Sequence, residues 1–430
     1  MPNKMSDKKP SRRGALTALG AAGLAGVGVI ALRRPDRGAG GHDAYFKAVS
    51  AALREAKIAQ PTLVVDRARL AANIAAVKTN LAGSNMGVRV VVKSLPAIGL
   101  IDAVADGLKT DRFMVFNGEM LGEMRQRRPE ADLLLGKPLP AMLAAEHLDK
   151  FTGSDAAHPG PQWLIDTPER LAQYSALARA RNLKARVNFE IDVGLHRGGF
   201  ADAAALARAV DLAKADPNIE ISGLMGYDPH VPKTPRPKAA FAQVQQVYKA
   251  ARQVLAEKLG GDPGRFTLNT AGSPTYLLHA HDPYANEVSI GSAFVKPVDF
   301  DLATLATHVP AAFIATPVIK ALPRMQIPSL EALSSVMTFF DPNSERAFFM
   351  FGGHWMAVPV SPPGLQYNDL FGRSSNQELL TGSRRVDLKP DDYVFLRPKQ
   401  SEAVFLQFGD IAAYDQGRIT ERWPTFPVSA

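Results

Sequence analysis

Short apolar runs alternate with stretches of helical periodicity along most of the chain, and this alternation restricts the fold more than any other feature. The runs with strand character lie at 90–92, 113–116, 133–135, 163–165, 185–191 and 220–225. A regular succession of strands and helices with this many units is typical of a parallel sheet that closes into a barrel. The sequence therefore predicts an α/β fold in which residues 41–305 form a (β/α)8 barrel of the TIM type.

The first βαβ unit of this barrel is predicted near the start of the periodic region. Residues 63–65 form a short apolar run, Asp66 is a suitable N-cap, and Leu70 and Ile74 share one face of the helix that follows. The run at 90–92 is then the second strand of the unit.

The helical periodicity ends near residue 305. Beyond it, prolines and glycines separate short apolar runs such as FFMFGGHW (348–355), VFLRP (394–398) and AVFLQF (403–408). These runs predict antiparallel strands. We therefore expect a C-terminal antiparallel β domain over residues 306–430.

The first 40 residues resemble a targeting segment. Arg12 and Arg13 precede a mildly apolar run at 14–32, which is the layout of a twin-arginine export signal. A plain membrane anchor is the alternative, because the run is just long enough to span a bilayer. We expect residues 1–40 to lie outside the fold, and the protein to be periplasmic or tethered to the inner membrane facing the periplasm.

Composition excludes several classes of function. The net charge is +8, but much of the excess lies in the first 40 residues, and no basic stripe with interleaved aromatic residues follows. We therefore expect no nucleic-acid partner. The chain has no cysteine, which excludes disulfides, thiolate nucleophiles and cysteine-ligated metals.

One lysine directly follows the apolar run at 90–92. In the motif VVVKSLP, Lys93 comes immediately after three valines, so it is predicted to lie at the carboxyl end of a buried strand. Barrels of this class hold their catalytic groups at that end. Partial burial disfavours the ammonium form, and a neutral amine can form a Schiff base with an aldehyde. A solvated lysine at a strand end is the structural alternative.

Polar residues follow two later strands. In NFEIDVGLHRGGF, Glu190 and Asp192 share one face of a strand, and His196 and Arg197 lie in the glycine-rich turn after it. Tyr227 follows the next strand in GLMGYDPHV. Polar groups that point into a barrel mouth are costly unless they bind a ligand or one another. This pattern favours a ligand site, and a salt-bridge network at the barrel bottom is the alternative.

Small residues follow the last two predicted barrel strands. The motif FTLNTAGSPTY (266–276) runs into a loop of threonine, alanine, glycine and serine, and NEVSIGSAF (286–294) has a similar loop. Glycine and serine at a strand end let backbone N–H groups and hydroxyls approach an anion closely. In barrels the last two loops often bind phosphate. Ordinary turns have a similar composition, so one such loop would not predict a phosphate site. The prediction depends on two of them in succession.

These motifs resemble the fold-type III pyridoxal phosphate enzymes, which include alanine racemase and the D-threonine aldolase and D-serine dehydratase branch. The resemblance extends from about residue 61 to the C-terminus and is most specific at PTLVVD, VVVKSLP, EIDVGLHRGG, GLMGY, AGSPTY, NEVSIGS and RITERWP. It implies that Lys93 carries the cofactor. It further implies a catalytic set of Lys93, His196, Arg197 and Tyr227, and a cofactor-binding set of Lys93, Tyr227, Asn269, Gly272, Ser273, Thr275, Gly291 and Ser292.

The chain departs from this branch at the metal site. The branch has a His-x-Cys or His-x-Asp metal pair in the penultimate β segment, whereas the corresponding stretch RPKQSEAVF has Gln400 and Glu402. Because glutamine is a poor transition-metal ligand, we expect no tightly bound metal. Glu402 and Glu378 are weak candidates for a hard-cation site or for a shared proton. Ordinary pairing with Arg397 or Arg373 is the alternative.

The resemblance implies a pyridoxal phosphate-dependent lyase that acts on a β-hydroxy D-amino acid by retro-aldol cleavage or dehydration. The first alternative is an amino-acid racemase, with Lys93 as one base and a tyrosine or histidine as the other. The second is a non-catalytic protein that binds pyridoxal phosphate. We expect a small amino-acid substrate and a homodimer.

Overall fold

The computed structural model describes residues 33–151, 160–368 and 371–428. Within them the chain forms two compact units, a larger one of residues 48–315, 355–358 and 396–428 and a smaller one of the remainder. Both are discontinuous in sequence, whereas the sequence prediction placed one boundary near residue 305. The predicted export signal, with Arg12 and Arg13, lies outside the described residues. The expectation that all of residues 1–40 lie outside the fold is wrong for residues 33–40, because Arg34 N–H donates to Phe340 O at 2.7 Å and Gly40 O accepts from Asp387 N–H at 3.1 Å within the smaller unit.

The larger unit contains a closed barrel of eight parallel strands, β2 to β9. After a preceding strand, β1 (Thr62–Asp66), they are β2 (Gly87–Val91), β3 (Arg112–Val115), β4 (Asp132–Leu135), β5 (Gln162–Ile165), β6 (Ala185–Glu190), β7 (Ile219–Met225), β8 (Thr267–Thr270) and β9 (Glu287–Ile290). Each barrel strand pairs with the next along the chain, and β9 pairs with β2. The predicted barrel is confirmed.

Eight helices are described from the start of the larger unit to the end of its barrel. They are α1 (Ala44–Glu55), α2 (Arg67–Asn80), α3 (Ile98–Leu108), α4 (Gly118–Arg127), α5 (Ala141–Phe151), α6 (Pro168–Ala180), α7 (Ala203–Ala215) and α8 (Pro237–Leu259). Side-chain caps fix where several begin: Asp66, Asn117, Thr167 and Asp202 each accept a hydrogen bond from a backbone N–H in the first turn. The predicted Asp66 cap is confirmed.

The first predicted strand does not belong to the barrel. β1 pairs antiparallel with the start of β10 (Ala312–Leu322) and parallel with β16 (Asp410–Asp415), which in turn pairs with β17 (Arg418–Pro424). The predicted βαβ unit of 63–65 and 90–92 is therefore wrong. All five residues of β1 are buried, and a strand buried on both faces gives the same apolar run in either sheet.

The smaller unit is mainly antiparallel. Its strands include β11 (Arg346–Phe351), β13 (Gln366–Tyr367) and β14 (Gln377–Gly382), while β12 (Ala357–Ser361) and β15 (Tyr393–Pro398) are each shared with the larger unit. β10 pairs with β11, β11 with β14, and β13 with β14. The strands predicted in FFMFGGHW and VFLRP are confirmed.

Two helices interrupt the predicted C-terminal strands. The smaller unit contains α9 (Glu331–Phe340), and the larger unit contains α10 (Glu402–Phe405). The strand predicted at AVFLQF is therefore wrong. Val404 and Phe405 are fully buried. The apolar run in the sequence therefore arises from the buried side of a short helix and not from a strand.

A buried ionic network lies towards the amino ends of the barrel strands. Arg89 is fully buried, and its Nε donates to Glu287 Oε1 at 2.6 Å while Nη2 donates to Asp132 Oδ2 at 2.6 Å. Asn269 Nδ2 donates to Glu287 Oε1 at 2.8 Å and to Ser289 Oγ at 2.9 Å. These contacts fill the barrel interior on the side of the amino ends of the strands, so a ligand site belongs at the carboxyl ends.

Candidate active site

A cavity of about 420 Å³ lies at the carboxyl ends of the barrel strands. Residues from both the barrel loops and the C-terminal stretch line it. Of the residues predicted from sequence, it brings together Lys93, Arg197, Tyr227, Asn269, Gly272, Ser273, Gly291, Ser292 and Glu402. Three others, His196, Thr275 and Glu378, lie elsewhere.

Lys93 follows β2 on a short turn and points into this cavity. Its Nζ lies 4.6 Å from the centroid of the Phe116 ring and 3.9 Å from Glu402 Oε1. Burial is the largest influence on the pKa of Lys93 and lowers it; the charge of Glu402 opposes this, and those of Arg197 and Lys137 add to it. A lowered pKa increases the fraction of neutral amine, which is the form that attacks an aldehyde.

Glu402 enters the cavity from the first turn of α10. Its Oε1 accepts a hydrogen bond of 2.9 Å from Ser94 Oγ, next to Lys93. Gln400 instead donates from Nε2 to Asp299 Oδ2 at 3.4 Å. Among the described residues, no group of three or more histidine or carboxylate side chains is arranged to hold a metal ion. The expectation of a metal-free site remains a prediction.

Residues 272–275, in the loop after β8, form a turn that fits a phosphate together with the loop after β9. We call residues 272–275 the phosphate turn. Ser273 Oγ accepts hydrogen bonds from the N–H groups of Gly291 at 3.0 Å and Ala293 at 3.1 Å. Because both lone pairs of the hydroxyl are used, its hydrogen is left to donate to an anion. A Cβ atom at Gly272 would overlap the Tyr227 ring, so glycine at this position is what lets the ring pack directly against the backbone of the turn.

Thr275 supports this turn from beneath. It is fully buried, its hydroxyl donates to Asp228 Oδ1 at 2.5 Å, and it accepts a hydrogen bond of 3.3 Å from Gly272 N–H. It does not line the cavity, so its predicted direct role in cofactor binding is not supported by its position. Asn269 lines the cavity, although its amide is engaged with the barrel interior.

His196 and Arg197 are adjacent but point to different surroundings. His196 has a left-handed φ of 56° and a side chain 79% exposed, with Nδ1 2.7 Å from Asp192 Oδ2. It shapes the turn and does not line the cavity, so its predicted catalytic role is not supported by its position. Arg197 lines the cavity, with its guanidinium carbon 5.0 Å from the centroid of the Tyr227 ring.

Three charged cavity residues were absent from the predicted site sets. They are Lys137, Asp166 and Glu190. Burial raises the pKa of Glu190 to about 7, with Arg197 opposing the shift and Asp166 adding to it. Lys137 follows β4 and Asp166 follows β5 directly, so their place after predicted strands was the signal that could have identified them.

Glu378 is bound within the smaller unit. Arg373 makes an ion pair with its carboxylate, and His354 N–H donates to Oε2 at 2.7 Å. The alternative of ordinary pairing with Arg373 is therefore the one observed. Arg397 binds Asp301, with Nη2 2.7 Å from Oδ1.

The cavity residues fit pyridoxal phosphate. A lysine with a lowered pKa lies at one side of the barrel mouth, and a turn with a hydroxyl hydrogen left to donate lies at the ends of β8 and β9. Lys93 would hold the aldehyde carbon, and Ser273 would hold the phosphate.

Solved structures of known proteins share the fold of this chain. A D-threonine aldolase from Filomicrobium marinum superposes with a TM-score of 0.69 at 16% identity, covering 85% of this chain and 96% of that one. D-threo-3-hydroxyaspartate dehydratase from Delftia sp. HT23 gives 0.69 at 14% identity, covering 86% and 98%. Alanine racemase from Clostridium difficile 630, in complex with cycloserine, gives 0.64 at 14% identity, covering 85% and 98%. At such identities the likeness shows the fold.

The sequence itself also matches a family. None of the curated proteins compared by sequence matches the chain. The family model of the alanine racemase N-terminal domain, however, matches residues 65–297, which is more than half of the chain. With the barrel, the lysine and the phosphate turn in place, the chain belongs to the alanine racemase N-terminal domain family of fold-type III pyridoxal phosphate enzymes.

Proposed function

We propose that this protein is a pyridoxal phosphate-dependent lyase that acts on a β-hydroxy D-amino acid. The observation that carries the proposal is the carboxylate of Glu402, 3.9 Å from Lys93 Nζ and bonded to Ser94. Such a lyase needs one group for the proton at Cα and another for the proton of the β-hydroxyl. Lys93 and Glu402 supply such a pair, and the names of two structural neighbours agree with this class.

The two residues divide the proton transfers. The cofactor, when bound, withdraws the electron pair of the bond that breaks at Cα. In retro-aldol cleavage Glu402 accepts the proton of the β-hydroxyl as the Cα–Cβ bond breaks, and Lys93 then donates a proton to Cα of the amino-acid product. In dehydration Lys93 accepts the Cα proton, and Glu402 donates the proton with which the hydroxyl leaves as water. The Ser94 hydroxyl keeps the Glu402 carboxylate facing Lys93.

An amino-acid racemase is a second candidate because of Glu190. Racemisation needs bases on both sides of Cα, and β6, which ends at Glu190, is the fifth of eight strands counted from β2 around the barrel. Glu190 and Lys93 both line the cavity, and their strands lie on opposite sides of the barrel. Tyr227 is a poor second base, since burial raises its pKa to about 12, and His196 lies outside the cavity.

The test is product analysis with purified protein and added cofactor. D-threonine, D-serine, a 3-hydroxyaspartate and L-alanine are supplied, each with and without EDTA. Glycine plus an aldehyde identifies an aldolase, a keto acid plus ammonia identifies a dehydratase, and exchange of the Cα configuration identifies a racemase. Cofactor binding with no turnover of any of them supports the non-catalytic alternative and contradicts the lyase.

The proposal also covers the cellular location and the oligomeric state of the protein. The arginine pair Arg12 and Arg13 before an apolar run supports export to the periplasm by the twin-arginine route. No helix among the described residues is long and apolar enough to cross a membrane. The family resemblance supports a homodimer.

A further inference from the structure

A cluster of buried ionisable side chains lies behind the phosphate turn and takes no part in the proposed proton transfers. Its members are Asp228, His279 and Asp282, whose side chains are inaccessible to solvent. Asp228 directly follows the cavity residue Tyr227, and the other two lie beyond the turn after β8. The cluster therefore connects the loops after two neighbouring barrel strands.

Each ring nitrogen of His279 lies within hydrogen-bond distance of a carboxyl oxygen. Nε2 lies 2.9 Å from Asp228 Oδ2, and Nδ1 lies 2.7 Å from Asp282 Oδ2. Carboxylate oxygens accept hydrogen bonds, so this arrangement favours an imidazole ring protonated at both nitrogens. Burial lowers the pKa of His279, but the hydrogen bonds and charges of the two carboxylates outweigh it and raise the pKa to about 9.

The cluster continues into the phosphate turn through one hydroxyl. Asp228 uses its second oxygen, Oδ1, to accept from Thr275 Oγ1 at 2.5 Å. Thr275 Oγ1 in turn accepts from Gly272 N–H at 3.3 Å, and Thr275 N–H donates to Gly272 O at 2.9 Å. A continuous series of hydrogen bonds thus runs from Asp282 to the backbone of the turn.

A purely structural role accounts poorly for this arrangement. Buried ion pairs recover little more than their own desolvation cost, and well-packed apolar residues of the same volume are often equally stabilising. What buried ion pairs add is orientation, because the hydrogen bonds within them fix the angle of each group that they join. Here the fixed group is the turn that carries Gly272 and Ser273.

We propose that Asp228, His279 and Asp282 are positioning residues that hold residues 272–275 in the shape that binds the cofactor's phosphate, acting through Thr275. This inference rests on the proposed function, since it assumes that pyridoxal phosphate is the ligand. On this proposal, side chains that do not touch the phosphate determine how tightly the protein binds it.

The test compares two ligands that differ only in the phosphate. Apo-protein is titrated with pyridoxal phosphate and with pyridoxal, and binding is followed by absorbance. In Thr275→Val, which keeps the side-chain shape and removes the hydroxyl, we expect affinity for pyridoxal phosphate to fall by about tenfold or more, as for loss of a buried hydrogen bond to a charged partner. Affinity for pyridoxal should change little. Thr275→Ser should restore the wild-type ratio of the two affinities.

The matched control is Thr62→Val in β1. Thr62 is also fully buried, and its hydroxyl donates to Gln60 O at 3.1 Å, outside the barrel. It should lower the melting temperature, though less than Thr275→Val does because its partner is a neutral carbonyl, and it should leave both affinities unchanged. Asp282→Asn provides a second, milder variant in case Thr275→Val does not fold, and it should also weaken pyridoxal phosphate more than pyridoxal.

The outcomes separate this inference from the proposed function. If wild-type protein binds pyridoxal phosphate and both variants lose affinity for the two ligands equally, or lose only thermal stability, the positioning role is overturned and the proposed cofactor stands. If wild-type protein binds neither ligand, both are overturned.

Discussion

The Oε1 atom of Glu402 lies 3.9 Å from Nζ of Lys93 and accepts a hydrogen bond from the hydroxyl of Ser94, 308 positions away in the sequence. The stretch that contains Glu402 is the one in which the resemblance to D-threonine aldolase leads one to expect metal ligands. A carboxylate cannot polarise a hydroxyl as strongly as a divalent ion, but it can exchange a proton with it. The site is therefore arranged for acid–base chemistry beside the lysine.

Lys93→Ala should abolish covalent attachment of the cofactor, because Lys93 is the cavity amine whose pKa is lowered by burial. Purified wild-type protein reconstituted with pyridoxal phosphate should absorb in the visible range, and the variant should not. Lys137→Ala, which removes the exposed lysine of the same cavity, should retain the band. A variant at Lys93 that keeps the band after dialysis would show that the cofactor is held elsewhere.

Glu402→Gln should lower kcat by a factor of about 10² to 10⁴, the usual contribution of a general acid or base. The change keeps the size of the side chain and its contact with Ser94, so the absorption of the bound cofactor should remain. Gln400→Ala, which alters a residue bonded to Asp299 outside the cavity, serves as the control and should retain activity. Equal losses in both variants would point to damage of the C-terminal stretch instead of lost proton transfer.

Activity should survive removal of divalent metal ions. No metal-binding cluster is present among the residues that the structure describes, and Gln400 is a poor ligand for zinc or manganese. Metal analysis of the protein as isolated should give well below one transition metal per chain, and dialysis against EDTA should leave kcat unchanged. Loss of activity with EDTA and recovery with manganese would contradict this expectation.

Glu190→Gln should stabilise the apo-protein at neutral and alkaline pH. Burial raises the folded-state pKa of Glu190 from 4.5 to about 7, so folding becomes less favourable as pH rises from about 4.5 to 7 and the carboxyl ionises in a desolvated site. The melting-temperature advantage of the variant should therefore appear above pH 4.5, grow up to about pH 7 and then level off. Glu220→Gln, on a side chain 57% exposed, should show no such trend.

Arg12→Lys combined with Arg13→Lys should block export. The twin-arginine route reads the arginine pair itself, so a change that keeps the positive charge still removes the signal. Fractionation of cells should then find the variant in the cytoplasm and the wild-type protein in the periplasm or at the membrane. Equal export of both would contradict the twin-arginine interpretation of residues that lie outside the described part of the chain.

The sequence by itself determined the barrel and the place of Lys93 at the end of a barrel strand. Strand and helix periodicity report which faces of each element are buried, and this is local information. The run of valines before Lys93 and the small residues around Gly272 and Gly291 needed no knowledge of distant neighbours. A parallel strand and its following loop always reach the same end of such a barrel, so the residue types after each strand were enough to predict the site.

Only the tertiary structure decided which of several equivalent partners each group meets. Residues 63–65 read as a barrel strand because burial on two faces looks the same in any sheet, yet they pair with the strands at 312–315 and 411–413. His196 turns out of the cavity through a left-handed backbone conformation that its neighbour Arg197 does not share, and periodicity carries no information on a single φ angle.

The partners of the charged groups also could not be predicted from the sequence. Glu378 and Glu402 were equivalent in the sequence, but the first is held by Arg373 and the second lies beside Lys93. Thr275 looked like a phosphate ligand and proved to join the turn to Asp228. Hydrogen bonds and ion pairs are directional and span long sequence separations, so their partners are fixed only when packing brings the segments together.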